Sequence, residues 1–260
     1  MVLASSAPLP FRWVIVRALA CPEIAAGHAP PGLLAPVEQA ILERLRFVRR
    51  RRKWLLGRWA AKSLLQDVET LRTGSRPDAS ALLIFNEPSG APYAAREPEG
   101  RLPISISISH REDRGVAGVS LVPAESFGID IETIEARGSD WCADYFVAHE
   151  MDAVRAAGEA RDRVVATIWS AKESALKALG VGLRMDPRRV EVRVASSDRP
   201  TALEALDSWM PLDLKIDPEK ALGRTVRAYS MESSDHVLTA VLLTGAGQEE
   251  TDSTKRYFTL

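Results

Sequence analysis

Two short segments carry residues whose types and spacing could do chemistry, GIDIE at residues 128–132 and WSAKESALK at residues 169–177. On an extended chain alternate side chains share a face, so Asp130 and Glu132 point one way while Ile129 and Ile131 point into a core. Two carboxylates side by side on a partly buried strand repel each other unless a cation lies between them. Hard oxygen ligands at this spacing suit Mg²⁺, which takes one or two carboxylates from a protein and completes its shell with phosphate oxygens and water. Gly128, just before the pair, admits the close approach of another backbone or of a phosphate. On a helix, positions 169, 173 and 177 stack one turn apart, so Glu173 and Lys177 share a face, with Trp169 a turn earlier and Lys172 alongside. A further carboxylate and two ammonium groups there are the equipment for metal-assisted attack on a pyrophosphate. Each segment alone also has a plain structural reading: DIE as the solvated face of an edge strand, and Glu173 with Lys177 as a surface pair worth about 0.2–0.5 kcal/mol to its helix.

The elements that must position these segments can be read from periodicity. A strand is expected at residues 11–19, and a short helix at 36–46 with Val37, Ile41, Leu42 and Leu45 on one side. A longer helix follows over 47–68, its apolar stripe formed by Trp54, Leu55, Trp59, Leu64 and Leu65. Strands are then expected at ALLIF (81–85), the alternating PISISIS (103–109) and GVAGVSLV (115–122). The same order returns in the second half. A strand at 127–131 precedes helices at 148–157 and 162–179, the latter closed by Gly180, and strands at 188–194, 224–230 and 236–243, the last two bracketing SMESSD as a hairpin connection.

This repeated βααβββ order places the chain in the α+β class, as two similar halves related by a pseudo-two-fold with the active site at their interface. The expected division is 1–123 for the N-terminal half and 124–245 for the C-terminal half that carries the metal site, with 246–260 a polar, disordered tail. Residues 74–80, 86–100 and 195–211 read as loops, being rich in Pro, Gly, Ser and charge.

Composition narrows the function classes. A net charge of −1 argues against bulk nucleic-acid affinity, so any phosphate recognition must be local. The only cysteines, Cys21 and Cys142, have neither disulfide-framework nor zinc-ligand spacing, and a reducing cytoplasm is the natural compartment. Arg12 and Arg17 interrupt the first apolar stretch and no basic leader precedes it, so a signal peptide is not expected, nor is any apolar run long enough to span a bilayer.

Taken together, G-I-D-x-E followed by W-S-x-K-E-x-x-x-K is the paired signature of the 4'-phosphopantetheinyl transferases. The chain resembles that family over nearly its whole length, in the single-chain, two-halved form that serves peptide and polyketide synthases. The resemblance implies that Asp130, Glu132 and Glu173 bind Mg²⁺ and that Lys172 and Lys177 hold the phosphates of coenzyme A, Lys177 also stabilising charge on the leaving phosphate. Ser109 and His110, ending the alternating ISISIS strand, stand where the family's Ser-His pair contacts phosphates. The run RRKWLLGRWAAKSLL (51–65) resembles the helix whose basic residues reach the 3'-phosphate, which makes Arg52 and Lys53 candidates and Arg58 a further one. YFVAHEMDAV (145–154) aligns Glu150 with the family's general base, although Glu150 and Asp152 equally suit a helix N-terminus, where the dipole favours carboxylates.

Two departures from the family pattern stand out: Ala91 between Gly90 and Pro92, where a lysine is common, and Arg111 in place of a small polar residue. The implied reaction is transfer of 4'-phosphopantetheine from coenzyme A to a serine of an apo acyl or peptidyl carrier protein, releasing adenosine 3',5'-bisphosphate. A monomer suffices if the site lies between the halves. The alternatives are a coenzyme A-binding protein without catalysis and another Mg²⁺-dependent enzyme cleaving nucleotide pyrophosphates, although no P-loop or Rossmann glycine motif accompanies the carboxylates.

Overall fold

The computed structural model describes residues 9–120, 122, 125–194 and 208–245. The first strand, β1 (Arg12–Arg17), leads through the short α1 (Pro22–Ala25) to α2 (Pro36–Arg44), which begins with a proline in its first turn. Next comes α3 (Val48–Thr73), a turn longer than periodicity predicts because Thr70 and Thr73 carry it to Gly74, whose left-handed backbone (φ 74°) ends it. Leu55, Leu56, Ala60, Leu64, Leu65 and Val68 form its buried stripe. The strands β2 (Leu82–Asn86), β3 (Pro92–Arg96), β4 (Gly100–Arg101), β5 (Ser105–Arg111) and β6 (Arg114–Ser120) follow. Residues 86–100, expected as loop, hold the β2–β3 turn and most of a small antiparallel sheet, β2-β3-β4. Its strands are too short to leave an alternating signature among the prolines and glycines.

The second part of the chain opens with β7 (Ser126–Thr133), then α4 (Ser139–Tyr145), α5 (Ala148–Ala156) and α6 (Arg161–Ala178). It closes with β8 (Val190–Arg193), β9 (Met210–Pro211), β10 (Asp213–Ile216), the short α7 (Pro218–Ala221), β11 (Thr225–Glu232) and β12 (His236–Thr244). The anticipated hairpin joins β11 to β12, while the expected tail and residues 195–207 lie outside the described residues. Among the described residues no helix is long and apolar enough to cross a membrane.

The fold is α+β. One antiparallel sheet has the order β1-β6-β5 and packs one face on α3; the other, β7-β12-β11-β9, packs one face on α6. A third apolar cluster lies between the sheets, where Phe11 and Val116 meet Phe127, Ile129 and Ile131, and Phe11 sits 5.3 Å from the Phe127 ring.

Where β5 and β7 run beside each other, the alternation in ISISIS acquires its meaning. Ile104, Ile106 and Ile108 face α3 in the first core. The serines face the other way and meet β7: Phe127 N–H donates to Ser105 Oγ at 3.0 Å and Ile129 N–H to Ser107 Oγ at 3.0 Å. These hydroxyls satisfy backbone donors that the edge of the second sheet would otherwise leave buried and unpaired. Ser107→Ala should therefore strand the Ile129 N–H and lower unfolding stability by about 1–3 kcal/mol, as read from urea midpoints; an unchanged midpoint would show that the seam does not depend on it.

Candidate functional site

The site begins with a close approach of two backbones. A Cβ at Gly128 would lie 1.9 Å from the carbonyl oxygen of Ser174 and 2.7 Å from the amide nitrogen of Ala178, so it is helix α6, not a phosphate, that the glycine admits. The rest of this contact is also small and polar. Ser174 Oγ donates to the Thr239 carbonyl at 2.9 Å and Ser170 Oγ lies 2.9 Å from Thr239 Oγ1, all three residues being fully buried. With α6 pressed this tightly onto β7, the face of β7 carrying Asp130 and Glu132 meets the face of α6 carrying Glu173 and Lys177.

Asp130 is at the centre. It is 1% exposed, and its Oδ1 accepts from Ser109 Oγ at 2.6 Å and from Lys177 Nζ at 2.7 Å, while Oδ2 is buried with no hydrogen-bond partner. Lys177 also donates to the Ile129 carbonyl at 3.1 Å, which fixes its ammonium against the strand. The Glu173 carboxyl is pushed up to about 7, first by burial and then by the charge of Asp130. Once Glu173 gives up the proton through which it can reach Asp130, two like charges face each other in a confined site, an electrostatic deficit that a divalent cation would fill. Oxygen donors from Asp130 and Glu173 fit such an ion, leaving the remainder of its shell to water or phosphate. Among the described residues no three His, Cys, Asp or Glu side chains already stand together at ligating geometry.

Glu132 shows why. It shares the face with Asp130, but its carboxylate is turned to arginines: Oε2 lies 2.7 Å from the Arg137 guanidinium and 3.4 Å from Arg111 Nε. Burial, then the charge of Asp130, raises its pKa in spite of these cations. To join Asp130 and Glu173 around an ion it would have to leave Arg137 and Arg111. Arg111 thus points neither at the cleft nor freely outward; it also pairs with Glu135.

On the other side of Asp130 lies a positive rim. His110 is exposed at the surface, yet desolvation by the protein packed around it, with the ammonium groups of Lys53 and Lys177 nearby, pushes its pKa below the usual value. Lys53, in the first turns of α3, is half-buried beside this ring; Arg52, the residue before it and also half-buried, lies about 100° away round the helix, its Nε buried without a hydrogen-bond partner. From Lys177 a cleft of about 620 Å³ runs between the two parts of the chain, past Ser105, Ser107 and Phe127, to Gly90, Ala91 and Pro92.

Three residues proposed from sequence do not join this constellation. Glu150 is fully buried: its carboxylate accepts from Val147 N–H at 2.9 Å and Val192 N–H at 2.7 Å and pairs with Lys172 at 2.9 Å, so no open side remains for a substrate hydroxyl. Lys172 is likewise 0% exposed, donating to the carbonyls of Pro187 and Val190 on the opposite side of α6, whereas the Lys177 side chain is 27% exposed. A step of one residue turns a helical side chain by about 100°, which separates Lys172 from its neighbour Glu173. Arg58 is also turned away, bonded to the Ile84 carbonyl and close to Glu38. Sequence reasoning missed Arg137, which holds Glu132 and stacks 4.4 Å from the Trp141 ring centroid, and it missed that Ser109 donates to Asp130. Arg137 carries no spacing signal, being in a loop; the serine's role was hidden because the facing strand is contributed by another part of the chain.

Residues 126–240, from β7 into β12, match the model of the 4'-phosphopantetheinyl transferase superfamily. The chain is similar to the L-aminoadipate-semialdehyde dehydrogenase-phosphopantetheinyl transferase of Xenopus laevis, 22% identical over 240 residues that cover 88% of this chain and 75% of the relative. It also aligns with the holo-ACP-synthase structure from Plasmodium yoelii at 15% identity and a TM-score of 0.32, over 42% of this chain and 90% of that one.

The raised Glu173 carboxyl has a measurable consequence. Between its ordinary value of 4.5 and about 7 the folded protein keeps a proton that the unfolded chain has lost, so this group's contribution to stability falls as pH rises through that window. A cation must displace the proton. Mg²⁺ should accordingly raise the melting temperature more at pH 8 than at pH 5, and Glu173→Gln should remove most of that difference; a Mg²⁺ effect independent of pH would contradict the assignment.

Proposed function

We propose that this chain, a member of the 4'-phosphopantetheinyl transferase superfamily, moves the 4'-phosphopantetheine arm of coenzyme A onto a serine of an apo acyl or peptidyl carrier protein. The observation that carries the reading is the meeting of Asp130, Glu173 and Lys177 at one end of the cleft. In the proposed reaction the serine Oγ attacks the β-phosphorus of coenzyme A. The bond from that phosphorus to the oxygen of adenosine 3',5'-bisphosphate breaks, its electron pair leaving on that oxygen, and the hydroxyl proton passes to water.

Asp130 and Glu173, with Glu132 once freed from its arginines, would hold Mg²⁺. That ion, when bound, supplies polarisation of the pyrophosphate. The protein's own groups do the remaining work. Lys177, fixed by Asp130 and the Ile129 carbonyl, presents an ammonium that can follow charge onto the leaving phosphate. His110, Lys53 and Arg52 supply donors for the outer phosphate groups, the arginine having an Nε still to satisfy. The cleft leads away from these cations to the Gly90–Pro92 turn, where Ala91 brings no cation.

This reading treats the chain as two α+β halves, 1–123 and 124–245, in a monomer whose site needs both: Ser109, His110, Lys53 and Arg52 come from the first, and Asp130, Glu132, Glu173 and Lys177 from the second. Its partner class is the carrier proteins of peptide or polyketide synthases. Incubation with coenzyme A, Mg²⁺ and an apo carrier protein should add the phosphopantetheine mass to the carrier. No increase with any of several unrelated carriers would sink the proposal. Glu173→Gln and Lys177→Met should each lower transfer by about 10²- to 10³-fold while leaving the protein folded by circular dichroism.

A further inference from the structure

We infer that Glu150 and Lys172 are a positioning clamp that sets the rotation of α6, and so the aim of Glu173 and Lys177, and that they take no part in the chemistry itself. The inference rests on the transferase reading of the site. What carries it is that the first half of the chain contains the same clamp, its glutamate oxygens and lysine engaged in the same way, around a helix that bears no carboxylate site; there Arg58 also approaches the glutamate, at 3.6 Å.

In the second half, Glu150 is the third residue of α5 and its carboxylate caps the amide of the residue preceding that helix, Val147, at 2.9 Å. In the first half, Glu38 is the third residue of α2 and caps Ala35 N–H at 3.1 Å. The second carboxylate oxygen of each glutamate then crosses to a strand amide: Glu150 Oε1 to Val192 in β8 at 2.7 Å, Glu38 Oε1 to Ile84 in β2 at 3.3 Å. Each glutamate pairs with a lysine of the following long helix, Lys172 of α6 and Lys62 of α3. Each lysine spends its other donors on carbonyl oxygens, Lys172 on Pro187 and Val190, Lys62 on Leu33 at 2.8 Å. All four side chains are 0% exposed.

The sequence shows the correspondence once the structure has supplied the register. Lys62 ends Trp59-Ala60-Ala61-Lys62 and Lys172 ends Trp169-Ser170-Ala171-Lys172, so both helices read W-x-A-K. The next residue is where they part: Ser63 follows Lys62, and Glu173 follows Lys172. The clamp is therefore common to a helix with the metal-type carboxylate and to one without it, which separates its purpose from catalysis. A buried lysine tied at once to a glutamate and to neighbouring carbonyls pins its helix in both rotation and axial position, because any turn of the helix breaks a charge-assisted bond in a medium that offers no water to replace it. With Lys172 so pinned against β8, Glu173 and Lys177 are held toward β7.

The test compares Glu150→Gln with Glu38→Gln. Both should lower the melting temperature by similar amounts. Only Glu150→Gln should weaken Mn²⁺ binding, followed by electron paramagnetic resonance, by roughly tenfold to a hundredfold. At saturating metal its kcat should return to within about tenfold of wild type, with the pH profile of kcat keeping both limbs. A Glu150→Gln protein that melts like wild type yet loses about 10²- to 10⁴-fold in kcat at saturating metal, or loses a limb of the pH profile, would overturn the inference and restore the base assignment. Should Glu150→Gln fail to fold, the clamp requires Glu38→Gln to fail as well; a stable Glu38→Gln would then contradict the equivalence. If wild type transfers nothing to any carrier, the transferase reading fails separately, and the melting and Mn²⁺ comparisons still decide the clamp.

Discussion

The position of one carboxylate governs this site. Asp130 Oδ1 is held at once by a hydroxyl from β5, Ser109, and by an ammonium from α6, Lys177, while Oδ2 is buried with no fixed donor. A seam of serine-to-amide bonds brings β5 beside β7, and the absence of a side chain at Gly128 brings α6 onto the other face of the same strand. Asp130 sits where these two approaches cross. Loss of either would move one of its partners out of reach, so sheet seam, helix packing and chemistry are one problem in this protein.

Electrostatics then sorts the surrounding charges. Asp130, Glu132 and Glu173 cannot all ionise in a buried pocket without compensation, and the structure meets the difficulty in different ways. Glu132 is neutralised by Arg137 and Arg111, Asp130 is half-satisfied by Lys177, and Glu173 is left with a carboxyl raised to about 7. The deficit is concentrated beside the cleft. Glu150, fully buried where Glu173 is half-buried, shows the contrasting solution: two backbone donors and a lysine answer its charge. Comparing the two glutamates separates a group prepared for a ligand from one that is finished.

Much of this was legible in the sequence because it depends on period. Alternation fixed the shared face of Asp130 and Glu132, and the one-turn interval fixed that of Glu173 and Lys177. Period alone did not separate Lys172 from Lys177, since both are lysines on an amphipathic helix and only the elements packed on each side distinguish a pinned ammonium from one facing a cleft. Glu150 was ambiguous for the same reason: a helix-capping glutamate and a catalytic one have the same local sequence, and the deciding contacts, with Val192 and Lys172, come from distant segments. The serines of ISISIS read correctly as one face of a strand, but what they face is β7, whose arrival no local pattern announces. Arg137 and the β3–β4 hairpin were missed because a loop residue and two short strands carry no periodic signal.

The central claim is that a metal and the pyrophosphate of coenzyme A meet at Asp130. Crystals grown with Mn²⁺ and coenzyme A, measured for anomalous scattering, test it most directly. The account predicts an anomalous peak bonded to Asp130 Oδ2 and to Glu173, with the pyrophosphate beside Lys177 and the nucleotide lying along the cleft toward Gly90. Manganese bound away from Asp130, or coenzyme A bound outside the cleft, would contradict it.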